Sequence, residues 1–240
     1  MHSRSHLTIL AAGATLTLSA ASIAWGGAIR GDGKFVEVSR PVGAFHAVEV
    51  SSGIQVELLV GEARPIEIHA EENIAPLVET EVSGSTLHIR FTPNTSHSDE
   101  GVKVKVVAPR IDRIEVSGGA SAAGAVAKGD KLTLEASGGA ELKLREVEAK
   151  SVEAEGSGGA TLELQGSAEE LTLDVSGGTR FPLEKLAVKS ARIDASGGCM
   201  GELQASETVK GELSGASMVR VHGGARTRVA TSGASSVETD

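Results

Sequence analysis

Apolar and polar residues alternate strictly on both sides of a Ser-Gly-Gly or Ser-Gly-Ala segment that recurs through the second half of the chain. Before Ser137, for example, Leu132, Leu134 and Ala136 alternate with polar residues. Alternation with a period of two predicts β-strands that bury one face, because successive side chains of a strand point to opposite sides. The recurring segment begins at Ser117, Ser137, Ser157, Ser176, Ser196, Ser214 and Ser232.

The spacing of these serines, 20, 20, 19, 20, 18 and 18 residues, predicts a solenoid. One coil alone buries too little apolar surface to be stable, whereas stacked coils place like residues above like and form a continuous core. We therefore expect an all-β fold, with a right-handed parallel β-helix of about 20 residues per coil over residues 111–240. A propeller blade would need about forty residues, which is twice this repeat.

Residues 29–110 lack the repeat but carry ordinary strand signals. Residues 71–78 could hold a helical turn or two, and the polar segment 92–101 is typical of an exposed loop. We expect an N-terminal β-rich cap that continues into the solenoid and closes its open end. The expected strands are residues 35–38, 47–51, 54–60, 66–69, 78–83, 86–91 and 102–107.

The first 28 residues have the layout of a signal peptide, because Arg4 is followed by the uncharged stretch 7–28. Cleavage after Ala24 or Ala28 would leave a protein without a membrane span, in the periplasm or outside the cell. The alternative is an uncleaved anchor, but the Gly, Ser and Thr content of this stretch makes a weak span.

Charge and composition narrow the possible partners. Without residues 1–28 the chain keeps 22 Lys and Arg against 32 Asp and Glu, a net charge of −10, which makes nucleic acid an unfavourable partner. Tyr is absent and Phe numbers 4, so aliphatic residues must fill the core. The single cysteine, Cys199, stands where other repeats have Ala, which favours a small buried residue over a reactive thiol.

An acidic residue stands two positions before the repeat serine in six of the seven copies. Stacking would bring these carboxylates within about 5 Å of one another on the outer face, which costs free energy unless something offsets it. Neighbouring cations at Arg113, Arg192, Lys210 and Arg228 are one answer. At Glu135, Glu155 and Asp174, where such neighbouring cations are missing, a bound Ca²⁺ is the second way to offset the repulsion. Glu115, Asp194 and Glu212 complete the expected binding surface.

No catalytic residue and no cofactor site is predicted from spacing. Seven copies of a serine in one column argue against a nucleophile, which needs a single activated serine beside a base. We expect instead that the serines hydrogen-bond one another at stacked bends. The histidines show no metal-ligand spacing.

Two segments and the repeat together resemble a known family. Residues 45–61, FHAVEVSSGIQVELLVG, and residues 71–82, EENIAPLVETEV, precede the Ser-Gly-Gly-Ala repeats. In this order they resemble the bacterial domain of unknown function called putative auto-transporter adhesin, head GIN domain, over about residues 35–230. The resemblance implies an exported β-helical protein with an adhesin-like role.

The leading functional hypothesis is a non-enzymatic envelope protein whose solenoid surface binds or scaffolds a polysaccharide or another protein. The alternative is a polysaccharide lyase or hydrolase, since β-helices host such enzymes and use clustered carboxylates. Sugar-binding grooves usually carry aromatic platforms, and the scarcity of Phe, Tyr and Trp in this chain weighs against that alternative.

Overall fold

The computed structural model describes residues 29–93, 97–98 and 101–240. The expected signal peptide, residues 1–28, lies outside the described residues, as do residues 94–96 and 99–100 of the expected loop. The described chain is all-β apart from one short 3₁₀ helix, Ala75–Leu77, which falls where a helical turn is expected. None of its helices is long and apolar enough to cross a membrane.

The described residues form nineteen strands. They are β1 Ile29–Arg30, β2 Phe35–Arg40, β3 Ala47–Val50, β4 Gln55–Val60, β5 Ile66–Glu71, β6 Val78–Ser83, β7 Thr86–Phe91, β8 His97–Ser98, β9 Lys103–Ala108, β10 Arg113–Val116, β11 Ser121–Ala125, β12 Gly129–Ala136, β13 Glu141–Gly156, β14 Thr161–Val175, β15 Arg180–Ala195, β16 Met200–Leu213, β17 Met218–His222, β18 Arg226–Thr231 and β19 Ser236–Thr239. The seven strands expected before residue 110 all form, with ends shifted by no more than two residues.

The strands stack as the coils of a β-solenoid, as the repeat predicts. Strand segments that lead into a Ser-Gly-Gly corner form a first column, and segments that leave it form a second column. Within each column the neighbours are parallel and in register, so that Glu115 lies beside Glu135 and Leu142 beside Leu162. The long strands β13 to β16 bend around the core, and their register shifts where they bend, for example between Leu144 and Val147.

The coils begin earlier than the repeat does. Strands β3 and β4 lie in register on β10 and β11, and the Ser51–Ile54 segment between them forms the same corner as 117–120. The backbone N–H of Ser117 donates to Val50 O at 2.9 Å, and that of Ser121 to Ile54 O at 3.0 Å. Strands β7 and β9 stack on the other side of β3 and β4. The sheet therefore runs without a break across residue 110, and the limits 29–110 and 111–240 stay a prediction from the repeat.

The N-terminal end of the stack is covered by antiparallel strands. Strand β6 pairs with β7, and β5 pairs with both β9 and β2. The outer edges of β7 and β9, the strands of this end coil, are thereby paired, and the outermost strands of the described chain at this end are β6 and β2. The expected cap is confirmed, and it consists of β2, which precedes the first coil, and of β5 and β6, which lie between the first two coils along the chain.

The core is one continuous column of aliphatic side chains. Leu134, Leu173 and Ile193, which the repeat assigns to one interior column, are all 1 % exposed or less. Phe181 is the bulkiest fully buried side chain, and a Cβ on the neighbouring Gly201 would lie 2.0 Å from its ring. A glycine at position 201 therefore leaves the space that the Phe181 ring occupies. Burial of a Leu-sized side chain contributes about 1.5–3 kcal/mol, so the stack is held by many such layers.

Each corner is held by backbone contacts. Gly158 has φ +70°, and a Cβ there would lie 2.9 Å from Gly138 O in the coil below. That same oxygen accepts the N–H of Gly159 at 2.6 Å. The repeat serines are aligned as expected, but within the described chain no hydrogen bond joins the hydroxyls of successive repeat serines. The expectation of a serine ladder is wrong, because the backbone N–H of each serine already secures the corner, as from Ser137 to Val116 O at 2.9 Å.

Candidate functional site

The acidic residues singled out from the repeat form one outward-facing column. Glu115, Glu135, Glu155, Asp174, Asp194 and Glu212 are paired coil by coil in the parallel ladder. The structure adds Glu49 of β3, beside Glu115, so we call these seven residues the acidic column. The repeat search missed Glu49, although the segment Val48-Glu49-Val50-Ser51 has the same pattern as Ile114-Glu115-Val116-Ser117.

Basic side chains contact several members of the acidic column. His88 Nδ1 lies 2.8 Å from Glu49 Oε2, and Arg113 reaches Glu135 Oε2 at 3.6 Å. Arg192 contacts Asp194 Oδ2 at 2.8 Å. These are half-exposed pairs, each worth about 0–1 kcal/mol. The expected pairing with cations is therefore present at Arg113 and Arg192.

The middle of the acidic column has no such partners. Among the described residues no ion pair reaches Glu155 or Asp174. Together with Glu135 they line a shallow groove of about 170 Å³. No group of three or more His, Cys, Asp or Glu side chains in the described parts of the chain has the geometry to hold a metal ion. Calcium at Glu135, Glu155 and Asp174 stays a prediction.

Crowding in the column affects the protonation of Glu115. Burial raises the pKa of this carboxyl above its ordinary value, and the carboxylates of Glu135 and Glu49 on the adjacent coils raise the pKa further. Arg113 and His88 oppose this rise. The protonated form of Glu115 is therefore favoured by the fold relative to the unfolded chain.

A second surface, which we call the long face, is the outward side of the second column. It runs over eleven strands of the described chain. In spatial order these are β2, β5, β9, β4, β11, the first parts of β13, β14, β15 and β16, then β17 and β19. The antiparallel cap thus extends the same face that the repeat coils build. Sequence reasoning missed this surface, since nothing in the repeat distinguishes one outward column from another.

The long face carries two shallow depressions, one towards each end. The C-terminal one is about 450 Å³ and contains two stacked methionines, Met200 and Met218, which are 47 % and 50 % exposed. Pro182 and Arg180 line it on the coil before them. Arg220, which contacts Glu202 at 3.6 Å and Glu238 at 2.8 Å, forms its far side. This is an apolar strip bordered by charge.

The N-terminal depression, about 480 Å³, is lined by several charged side chains. Small side chains at Ser121 and Ala123 form part of its lining, and Lys103, Lys105 and His69 come from strands on one side. The ring of His69 stacks on that of Phe35, with centroids 5.1 Å apart and planes at 9°. A flat ring pair beside lysines can pack against a ligand and also donate hydrogen bonds to it.

The other candidate residues of the sequence have structural places. Cys199 is fully buried, as expected, and its Sγ lies 3.2 Å from Ser196 O. Burial raises the pKa of this thiol, which keeps it unreactive. Thr179 and Ser217 occupy the same corner position and donate to the carbonyl of their own repeat serine at 2.8 and 3.0 Å. This position therefore fastens the corner.

Fold and surface together define a β-solenoid with a capped N-terminal end and a long exposed face. The family model described as putative auto-transporter adhesin, head GIN domain, matches residues 44–225. The chain belongs to this family, as the resemblance of its sequence implies. No curated protein matches the chain in sequence.

Several solved structures share the fold. A putative adhesin from Bacteroides fragilis NCTC 9343 is 15 % identical, with a TM-score of 0.83 over 88 % of this chain and 100 % of its own. A putative adhesin from Parabacteroides merdae ATCC 43184 is 20 % identical, with a TM-score of 0.70 over 90 % and 100 %. A protein from Parabacteroides distasonis ATCC 8503, described as a putative lipid binding protein, is 13 % identical, with a TM-score of 0.72 over 89 % and 100 %. At these identities the likeness shows the fold alone.

Proposed function

We propose that this chain is an exported, non-enzymatic cell-envelope protein that binds an extended partner, polysaccharide or protein, along the long face. The adhesin description of its family supports a binding role. Two structural relatives are described as adhesins and a third as a lipid binding protein, so binding is the common theme of their descriptions. The charged start and uncharged stretch of residues 1–28 support export.

The observation that carries the proposal is the continuity of the long face. Its strands are hydrogen-bonded in one ladder from β2 to β19, so its side chains form a regular grid, and the described residues place no lid or deep cleft on it. A grid of this kind suits a partner with a repeated or extended surface. An enzyme site would call for convergent, irregular polar groups in an enclosed pocket.

The side chains of the long face indicate which chemical groups a partner should present. Met200 and Met218 offer polarisable apolar surface, which adapts to an irregular partner. Arg180 stands in the same outward column one coil earlier and has no ion-pair partner among the described residues, so its charge is available to an anionic group. The partner should therefore present apolar patches next to negative charge.

A glycan and cell-wall array tests this function, run with calcium and with chelator, alongside an array of envelope proteins. Binding to glycans or to protein, retained after washing at moderate salt, is the expected result. No binding in any arm would contradict the adhesin-like role. Release of reducing ends or unsaturated sugars from a bound polysaccharide would contradict the non-enzymatic part and favour the lyase or hydrolase.

A further inference from the structure

The last coil of the described chain has open strand edges. In the last coil, β18 pairs with β16 and β19 pairs with β17. Within the described chain neither strand has a partner on its other edge. Val229 and Val237, which face the interior, are only partly buried, whereas Val219 of the coil below is 1 % exposed. This end presents half-covered apolar residues and a free hydrogen-bonding ladder.

The charges of this last coil are separated by strand. The outward residues of β18 are Arg226 and Arg228, and those beyond the corner are Glu238 and Asp240. One coil lower, Arg220 contacts Oε2 of Glu238 at 2.8 Å and His222 Nδ1 contacts Oδ2 of Asp240, so among the described residues each carboxylate has one oxygen left for a further partner. Neither Arg226 nor Arg228 has an ion-pair partner in the described chain. One edge of the end is therefore positive and the other negative.

We propose that this C-terminal end pairs with the same end of a second copy of the chain, around a two-fold axis at Gly233. Such an axis runs through the corner and exchanges the two columns, so β18 of one copy lies antiparallel to β19 of the other. The corner glycines of the two copies meet on the axis. Because the operation is a closed two-fold, the assembly ends at a dimer.

The residue numbers of the last coil fit this pairing. Centred on Gly233, the register places Arg228 opposite Glu238 and Arg226 opposite Asp240 of the second copy. The same register places the inward-facing Val229 opposite Val237, so that outward residues meet outward residues and apolar meets apolar. Four Arg–carboxylate pairs and two Val–Val pairs result by symmetry.

The charges also disfavour one alternative pairing. An axis centred on Thr227 would set β18 antiparallel to β18 of the second copy, with Arg226 opposite Arg228. Like charges directly opposite in a ladder are destabilising. Arginine against carboxylate supplies both attraction and geometry.

The corner next to β19 has an unfilled hydrogen bond. Ser235 Oγ is inaccessible to solvent and has no hydrogen-bond partner in the described chain, although Ser217 at the same corner position one coil lower has one. In the proposed register Thr231 of the second copy lies opposite Ser235. Its hydroxyl is a suitable partner for this orphaned oxygen.

Sedimentation equilibrium of the full chain over a concentration series tests the proposal. We expect a reversible monomer–dimer equilibrium that weakens as salt rises. The double variant Arg226→Glu with Arg228→Glu should raise the dimer dissociation constant about tenfold or more, which is the scale expected for losing close charge pairs. Glu238→Arg with Asp240→Arg should do the same. Lys210→Glu, one coil lower in the column of Arg228, is the matched control and should leave the constant unchanged.

Mixing the two double variants gives the sharpest result. Each variant alone sets like charges against each other, but in the mixed dimer every reversed arginine faces a reversed carboxylate, and every native pair is kept. Heterodimer should therefore form where neither homodimer does. A mixture that stays monomeric, or a wild-type chain that remains monomeric at every concentration, would overturn the proposal.

Hydrogen exchange of the wild-type chain tests the proposed dimer interface without relying on any variant. Backbone amides of 226–231 and 236–239 should gain protection as concentration rises, because the second copy covers their open edges. Protection that rises elsewhere and not in these strands would overturn the assignment.

Discussion

The first coils, residues 47–60 and 86–108, and the repeat coils that follow build the same stack from different sequence. The first corner, Ser51–Ile54, has Ser52 at φ +66°, and the next has Gly118 at φ +60°. A Cβ at Gly53 would meet nothing within 4 Å, but one at Gly177 would lie 2.8 Å from a carbonyl oxygen. Alternation and corner geometry thus determine the coil. At the second corner position a side chain is present at Ser52, whereas a Cβ at the equivalent Gly177 would lie 2.8 Å from the Gly158 carbonyl oxygen.

The same two regions differ in how the chain joins their coils. Repeat coils follow one another directly, whereas between the first coils the chain builds β5 and β6, which together with the preceding β2 add antiparallel strands at one end. The repeat coils end with open edges at β18 and β19. The added antiparallel strands pair the outer edges of β7 and β9, which simple stacking would leave free.

The largest difference between the regions should be in the core. Replacing Phe181 by Ala should cost about 3–5 kcal/mol, because the ring fills the interior above Gly201. Val56→Ala, in the same interior column of the first coils, should cost less since it removes fewer atoms. Urea unfolding measures both. Adding Gly201→Ala to Phe181→Ala should restore part of the loss, and an equal or greater loss would contradict this packing.

A smaller effect is expected from calcium at the middle of the acidic column. If Ca²⁺ is held by Glu135, Glu155 and Asp174, a hundredfold excess over Kd stabilises the fold by about 2.7 kcal/mol. Glu155→Gln should reduce this response and leave the metal-free protein equally or more stable, because one repelling charge is gone. Asp194→Asn, next to Arg192, is the control that should keep the response. An unchanged melting temperature in millimolar calcium would exclude the site.

The corner comparison can be tested with two glycines. Gly53→Ala and Gly177→Ala both force a residue with a side chain to positive φ, which costs about 1–2 kcal/mol. Gly177→Ala adds a contact with the Gly158 carbonyl oxygen, so it should cost about 1 kcal/mol more. Thermal melting of both variants measures the difference. Equal losses would mean that stacking does not select the repeated glycines.

The smallest expected effect is a pH dependence from Glu115. Its pKa is raised in the folded state, so the folded chain holds this proton more tightly than the unfolded chain does. The contribution of Glu115 to the free energy of unfolding is fully present below the pKa that this carboxyl has in the unfolded chain. It is lost as the pH rises through the higher pKa that the carboxyl has in the folded chain. Glu115→Gln should flatten that slope, and Glu163→Gln on the long face gives the effect of removing an ordinary surface carboxylate. A slope that is unchanged in Glu115→Gln would contradict the assignment.

The sequence predicts the repeat coils well because a strand's periodicity is local and the corner residues recur. Leu134 and Cys199 are buried where that pattern places them. The coil formed by 47–60 was harder to predict, because 66 residues separate Ser51 from Ser117 and the chain builds the cap between them. The long face could not be predicted, since it depends on which strands of the cap join the ladder.

Surfaces formed by outward-facing side chains are also only partly predictable from the sequence. The acidic column can be predicted from the sequence because its residues are all acidic and recur at the same repeat position. The residues of the long face, such as Met200, Arg220 and His69, have no common chemical type that would mark them in the sequence. Their proximity follows from stacking of distant segments. The open edge at β18 and β19 likewise depends on which strands find partners.

Binding by the long face is the central claim, and co-sedimentation with insoluble bacterial cell walls tests it most directly. The measurement compares the wild-type chain, Met200→Lys with Met218→Lys, and Thr172→Lys, which adds one positive charge at an exposed site of the first column. We predict that the methionine double variant loses affinity about tenfold or more, a change of about 1.4 kcal/mol, while Thr172→Lys binds like the wild type. Equal binding by all three, or a loss confined to Thr172→Lys, would contradict the account.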